Sequence, residues 1–359
     1  MEFTIQKDNL LTALEKSIRA IPSKSTQPMF FNFLIRIKGM DGEVIANNGL
    51  NMSIITKFTA MSVEDGEVLI DAKTLLQAVK KLGKGDITIK TDDEVAIVTS
   101  GKARFEFATF NASDFPQPYK VEDYTSFTIN GTLLSSMIDG VAFAIGVNHN
   151  DKRAQGVGLK IKDNNLSMST TNMIMVAVKN RGIEADDMDA IIPGTTITEI
   201  ARMVGDEEVT IEISKVYAKF STSEFEMSIR LTDGVFFDFA KVLDVPAKTS
   251  VKINRKDLLD VVDRALVVKT QDKQPIVLTF EPTKVKLEMK TSTKSFDEEI
   301  ECEMESGLIK IGLDPAHLLE MLKAVPDDDI TLGLDNPKAP LRIFADNGEY
   351  KYILLPISI

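Results

Sequence analysis

Internal repetition limits what this chain can fold into more than any local motif does. Residues 68–82, VLIDAKTLLQAVKKL, form a short apolar run and a polar break, followed by Leu75, Leu76, Val79 and Leu82 at helical spacing. A strand running into a helix is predicted, with one apolar stripe for a core and Lys73, Lys80 and Lys81 on the remaining positions. The same phrase opens the chain at Phe3 and returns at Phe127 and Val251, each 124 residues after the last. The Val68 copy returns at Ala190 and Ile311, after 122 and 121 residues. Three repeats of about 120 residues, each made of two half-repeats, are therefore expected.

Each helix phrase is followed by period-two segments, such as DITIKT, VAIVT and ARFEFATF in the first repeat and VTIEI, VYAKF and EFEMSIRL in the second. Alternation of this kind predicts antiparallel strands with one face buried. The expected class is α+β, with three similar domains of two helices packed on antiparallel sheets. Proline and charge interrupt the apolar pattern near Pro118–Asp123 and Asp244–Lys248, which places the domains at 1–121, 122–246 and 247–359. A 359-residue chain is too long for one core, which agrees with this division.

Several function classes find no support. There is no apolar run long enough for a membrane span, and the first residues read as a strand rather than a secretion signal. A single cysteine, Cys302, excludes an intrachain disulfide and fits a reducing cytoplasm. His149 and His317 are the only histidines, and no phosphate loop, metal-ligand spacing or nucleophile signature is present. Neither enzymatic activity, cofactor nor metal is expected.

Charge is unevenly distributed. The chain carries −12 overall, yet the six helix phrases together carry +5, leaving −17 elsewhere. If the helices share a surface, it attracts phosphates while the exterior repels them; the bland alternative is six solvated helix faces. The two ends also differ in sign. Lys102 and Arg104 accompany Phe105 and Phe107 in the first repeat, whereas the third carries Asp297, Glu298, Glu299, Glu301, Glu303 and Glu305. Head-to-tail pairing of such ends closes a ring or propagates a filament, unless the acidic run is only a solvated edge strand.

The opening FTIQKDNLL, the ASDFP sequence ending at Pro116, LTDGVFFDF from Leu231 and the terminal YILLPISI, in this order over essentially the whole length, resemble the bacterial sliding clamp family, the beta subunit of DNA polymerase III. The resemblance implies a DNA clamp fold closed as a head-to-tail homodimeric ring. Such a ring encircles duplex DNA without reading sequence and tethers the replicative polymerase, with the clamp loader and other clamp-motif proteins as further partners. The alternatives are a divergent paralogue serving as a protein scaffold that is never loaded onto DNA, and an enzyme whose site leaves no sequence signature.

On this reading the DNA-facing candidates are Lys24, Lys73, Lys80, Lys81, Asn150, Arg153, Arg202, Arg264 and Lys323, with Lys80, Lys81 and Arg153 foremost. Paired tyrosines common in the family are replaced by Ala154 and Gln155. The dimer contact is expected to set Phe105 and Phe107 against Val267 and Val268, with Lys102 and Arg104 facing Glu298, Glu301 and Glu303. The family's partner-peptide pocket maps onto Gly156, Thr171, Met173, Ile174, Met175, Val176, Phe237, Lys241, Val242, Ile353, Leu354, Leu355, Pro356 and Ile357. It departs from the family pattern: the usual TDGHRL reads TNMIMV, a usual leucine is Gly156, and the proline of DGRFP is Phe237. A Met-rich apolar groove with altered motif preference is the expectation.

Overall fold

The computed structural model describes residues 1–92, 94–270, 274–305 and 307–359. All six strand-to-helix phrases form. Strands Glu2–Gln6, Gly66–Asp71, Thr125–Asn130, Met188–Pro193, Thr249–Asn254 and Ile309–Leu313 lead directly into helices. In chain order these helices are α1 (Lys7–Ser17), α2 (Ala72–Lys81), α3 (Gly131–Ala142) and α4 (Gly194–Met203), then, after a short α5 (Ala240–Leu243), α6 (Arg255–Ala265) and α7 (Pro315–Ala324).

The polar break between strand and helix is a cap. Asp71 accepts the Thr74 amide at 2.8 Å, Asn254 that of Asp257 at 3.2 Å, and Asp314 those of Ala316 and His317, with Pro315 on the first turn where no donor is needed. In α2, Ala72, Leu75, Ala78 and Val79 are buried while Lys73, Lys80 and Lys81 are exposed, as the stripe requires. Leu75 is completely buried, so truncation to alanine would cost about 2–5 kcal/mol.

The chain packs as two compact units, residues 1–133 with 199–231, and residues 134–198 with 232–359. The first holds a five-stranded sheet, in the order Met61–Glu64, Glu2–Gln6, Asp86–Asp92, Val95–Ser100 and Ala103–Ala108. Its eight-stranded sheet joins four strands of the middle repeat to four of the first, through pairing of Phe225–Arg230 with Met52–Thr59. The second unit repeats the arrangement. Its nine-stranded sheet joins middle to third repeat where Met175–Gly182 pairs with Tyr350–Leu354, and its four-stranded sheet ends at Ser295–Glu301. Every registered pair is antiparallel. Joining repeats edge to edge covers backbone donors and acceptors that each half-repeat alone would leave exposed.

Candidate nucleic-acid and partner interfaces

The candidate DNA-facing cations on or near the helices fall into two groups. Lys24, Lys73, Lys81 and Lys323 are exposed, and among the described residues none has a carboxylate partner. Lys80 pairs with Glu15 at 2.9 Å, Arg202 with Glu199 at 2.5 Å, and Arg264 makes a two-point contact with Glu298 at 2.6 and 3.0 Å. Glu199 also receives Arg19 at 2.5 Å. Pairs this exposed contribute about 0–1 kcal/mol each, so exchanging a carboxylate for a phosphate is nearly neutral.

Asn150 is exposed in the loop after α3, and Arg153 three residues on is held in place. The Arg153 guanidinium donates to both oxygens of Asp151 and, at 3.2 Å, to the Val235 carbonyl, and lies 4.5 Å from the centre of the Phe237 ring. Its hydrogen bonds hold the Asp151 carboxyl down to about 2. The sequence places Arg153 on a DNA loop and Phe237 in a peptide pocket; the structure brings them into contact.

Most of the predicted dimer residues lie on free sheet edges, with Val267 and Val268 on the turn after α6. Phe105 and Phe107 lie on Ala103–Ala108, the last strand of the five-stranded sheet, with rings 6.3 Å apart. Phe105 is 37 % exposed but Phe107 only 9 %, so Phe107 serves its own core. The same asymmetry holds on the 3-10 turn Leu266–Val268 after α6, where Val267 is 76 % exposed and Val268 8 %. Glu298 and Glu301 lie on the edge strand Ser295–Glu301; Glu303 belongs to a different edge, the short strand Glu303–Met304 beside Thr249–Asn254. Arg104 is paired with Glu106 at 2.7 Å, while Lys102 is exposed without a carboxylate partner among the described residues.

The predicted pocket residues all lie in the second unit, around one face of the nine-stranded sheet. Strand parity separates them. Met175 and Leu354 share a face with Lys179 and Tyr352, which reach α3 through the Ser136 and Gly140 carbonyls, so they belong to the core. Val176 and Ile353 are directly paired on the opposite face, where they cluster with Val178, Leu243 and Phe239. Gly156 and Thr171 share that outer face, both buried; the Thr171 hydroxyl donates to the Met175 carbonyl at 2.8 Å and accepts from the Met173 amide. Met173, in the left-handed region at φ 70°, and Ile174 sit on the turn so formed. The Leu355 amide bonds to the Ile174 carbonyl at 3.0 Å, continuing the sheet. Met173, Ile174, Val242 and Leu355 are each 42–46 % exposed and are the accessible apolar side chains of this set; Lys241 is exposed and Pro356 and Ile357 are half-buried.

Three aromatic rings that sequence reasoning largely misses roof this face. Phe236, Phe237 and Phe239 lie 5.3–6.2 Å from one another. Gly158 makes room for them: a Cβ there would fall 2.4 Å from the Phe236 ring. Beneath lies a cavity of about 420 Å³ lined by Gly158, Ser169, Val178, Phe236, Phe239 and Leu243. Buried Arg342 pins the roof, donating to the Val245 and Val242 carbonyls at 2.6 and 3.4 Å and to Asp335 at 2.8 Å, and Lys351 pairs with Asp244 at 2.8 Å. The sequence does carry a signal for this: Arg342 stands inside the apolar run LRIFA, where an arginine needs fixed acceptors.

Six strand–helix units joined into continuous antiparallel sheets, with unlike charge at two free edges, define a DNA clamp fold. The N-terminal, central and C-terminal domain families of the DNA polymerase III beta subunit match residues 1–119, 128–238 and 241–358 in turn. The chain belongs to the DNA polymerase III beta subunit family. It is 23 % identical to the beta sliding clamp of Bacillus subtilis over 99 % of both chains, and 25 % identical to that of Pseudomonas putida over the full length of both. The solved DNA polymerase sliding clamp of B. subtilis superposes with a TM-score of 0.96 at 22 % identity, covering 100 % of this chain and 99 % of that one. The Pseudomonas aeruginosa DNA polymerase III beta subunit gives 0.95 at 23 %, covering 100 % of each. Among the described residues no helix is long and apolar enough to cross a membrane, and no group of three or more His, Cys, Asp or Glu side chains could hold a metal.

Proposed function

We propose that this chain is a DNA sliding clamp: two copies close head to tail around duplex DNA and tether the replicative polymerase to its template. The observation that carries the proposal is the unbroken succession of three beta-subunit domains over nearly the whole chain. Domain boundaries at 1–121, 122–246 and 247–359 follow the repeat. The protein acts as a non-catalytic processivity subunit in the cytoplasm.

Enclosure supplies retention without tight contacts, so inner-surface cations need only attract phosphates diffusely, which permits sliding and is independent of sequence. Lys24, Lys73, Lys81 and Lys323 are the first candidates because they give up no carboxylate; Lys80, Arg153, Arg202 and Arg264 exchange theirs. Ring closure pairs the exposed Phe105 edge with the edge bearing Glu298 and with Val267 on the turn after α6. The exposed side chains of Met173, Ile174, Val242 and Leu355 receive apolar side chains of a polymerase or clamp-loader peptide.

Solution mass together with retention on nicked circular and linear duplex tests the whole reading. A dimer held on circles and lost from linear ends is the expected result. A monomer at all concentrations, or equal loss from both DNAs with a clamp loader present, refutes it.

A further inference from the structure

Three Asn-Gly pairs occur in the chain: Asn48-Gly49, Asn130-Gly131 and Asn347-Gly348. Glycine lacks the Cβ that obstructs attack of its own nitrogen on the preceding side-chain amide, so each pair has the covalent requirement for deamidation. The fold treats them differently.

The Asn48 side-chain oxygen accepts three backbone amides, from Leu50, Asn51 and Met52 at 2.9–3.0 Å, and its nitrogen donates to Asn51 at 2.9 Å. The Gly49 amide is itself committed to the Asn47 side chain at 2.8 Å. Asn130 accepts the amides of Thr132 and Leu133 and donates to the Asp206 carbonyl at 2.7 Å. Gly131 donates to the Glu207 carbonyl at 2.8 Å and begins α3 with Gly205 against it. In both pairs the electrophilic carbon and the attacking nitrogen are fixed apart.

Asn347 is the exception. It is exposed, and among the described residues no hydrogen bond engages its carboxamide or the Gly348 amide. Both residues lie at positive φ, 51° and 90°, in a short turn closed by the Glu349 amide on the Asp346 carbonyl at 2.9 Å. Neither reacting group therefore has to break a hydrogen bond to reach the geometry that attack needs.

We propose that Asn347 is a site of spontaneous deamidation and isoaspartate formation. The Gly348 nitrogen loses its proton to solvent base and bonds to Asn347 Cγ; the bond from Cγ to the side-chain nitrogen breaks, and ammonia leaves carrying that proton. Water then opens the resulting succinimide at either carbonyl, giving aspartate or isoaspartate, with no oxidant or reductant involved. The isoaspartate form adds one methylene to the main chain between strands Leu341–Ala345 and Tyr350–Leu354, which are registered Ala345 to Tyr350. It also adds a carboxylate to a turn already bearing Asp346 and Glu349.

The test is prolonged incubation of the folded full chain at mildly alkaline pH, followed by peptide mapping for the mass gain of amide to acid and by isoaspartate methyl-labelling. The peptide holding Asn347 converts first, and Asn347→Gln, whose longer side chain would have to close a strained six-membered ring, removes the label from that peptide. In denaturant, where no hydrogen bonds protect the other pairs, all three peptides convert at comparable rates. Conversion of Asn48 or Asn130 as fast as Asn347 in the folded chain, or label persisting in the same peptide of Asn347→Gln, overturns the proposal.

Discussion

Lys179 offers a sharp test of how the second unit is held together. It is 2 % exposed, and its ammonium donates to the Ser136 carbonyl at 2.9 Å, the Ser136 hydroxyl at 2.6 Å and the Tyr350 hydroxyl at 2.6 Å, with no carboxylate in direct contact among the described residues. Burial lowers its pKa from 10.5 to about 8, partly offset by the charges of Glu349 and Asp346. The folded state thus binds this proton more weakly than the unfolded state does. Stability is least where both states are charged, below about pH 8, and rises as pH climbs from 8 toward 10.5. The full displacement corresponds to about 3 kcal/mol, of which roughly 2 kcal/mol is recovered between pH 7 and pH 10. Lys179→Met keeps the packing volume and removes the titration. Loss of partners for Ser136 and Tyr350 shifts its stability by a nearly constant amount, so the pH slope of the difference carries the information. Urea unfolding of both proteins, followed by far-ultraviolet circular dichroism at intervals from pH 7 to pH 10, measures it. The wild type should gain about 2 kcal/mol on the variant across that range. A flat difference, or one that moves the other way, refutes the claim that the ammonium is buried without compensation.

Three further outcomes concern the surfaces. Lys73→Glu with Lys81→Glu changes the charge of the proposed DNA surface by −4 per chain without breaking an ion pair among the described residues, so retention on circular DNA should fall and its salt dependence flatten; unchanged retention at low salt removes these lysines from the proposed DNA surface. Phe105→Asp places a charge on an exposed apolar edge and should yield monomers in sedimentation with melting behaviour little altered, whereas Phe107→Asp should also destabilise the fold by about 3 kcal/mol or more because that ring is buried; a dimer surviving Phe105→Asp refutes the edge assignment. Leu355→Asp should weaken binding of a fluorescent clamp-motif peptide at least tenfold, about 1.4 kcal/mol, while leaving dimer mass intact; undiminished binding places the peptide elsewhere.

Fold and site are unequally legible in the sequence. Strand–helix phrases announce themselves because each carries an apolar stripe such as Leu75, Ala78 and Val79, and four of them a cap at Asp71, Asn130, Asn254 or Asp314. Sheet continuity between repeats does not, since pairing of Glu226 with Ile55 joins residues 171 positions apart and leaves no local trace. At the sites, residue type identifies the candidates but not their occupation. Arg153 and Arg264 read as free cations until Asp151 and Glu298 are found against them, and Glu303 reads as part of one acidic run although Cys302 separates it from the strand bearing Glu298.

The groove is subject to the same limit. A proline-to-phenylalanine change at 237 looks like simple loss of a pocket residue. In the fold it adds a ring that meets Phe236 edge to face, stacks with Phe239 and holds Arg153 4.5 Å away, while the leucine-to-glycine change at 156 leaves a position where a Cβ would already stand 2.7 Å from Ile191. These substitutions move bulk from the sheet to the segment above it. Against the family pattern, the floor therefore loses bulk at Gly156 and the roof gains a ring at Phe237. On the proposed function, a partner peptide would take its specificity from the exposed Met173, Ile174, Val242 and Leu355 side chains, which are free to repack, rather than from the buried Gly156 and Thr171 positions, which are not.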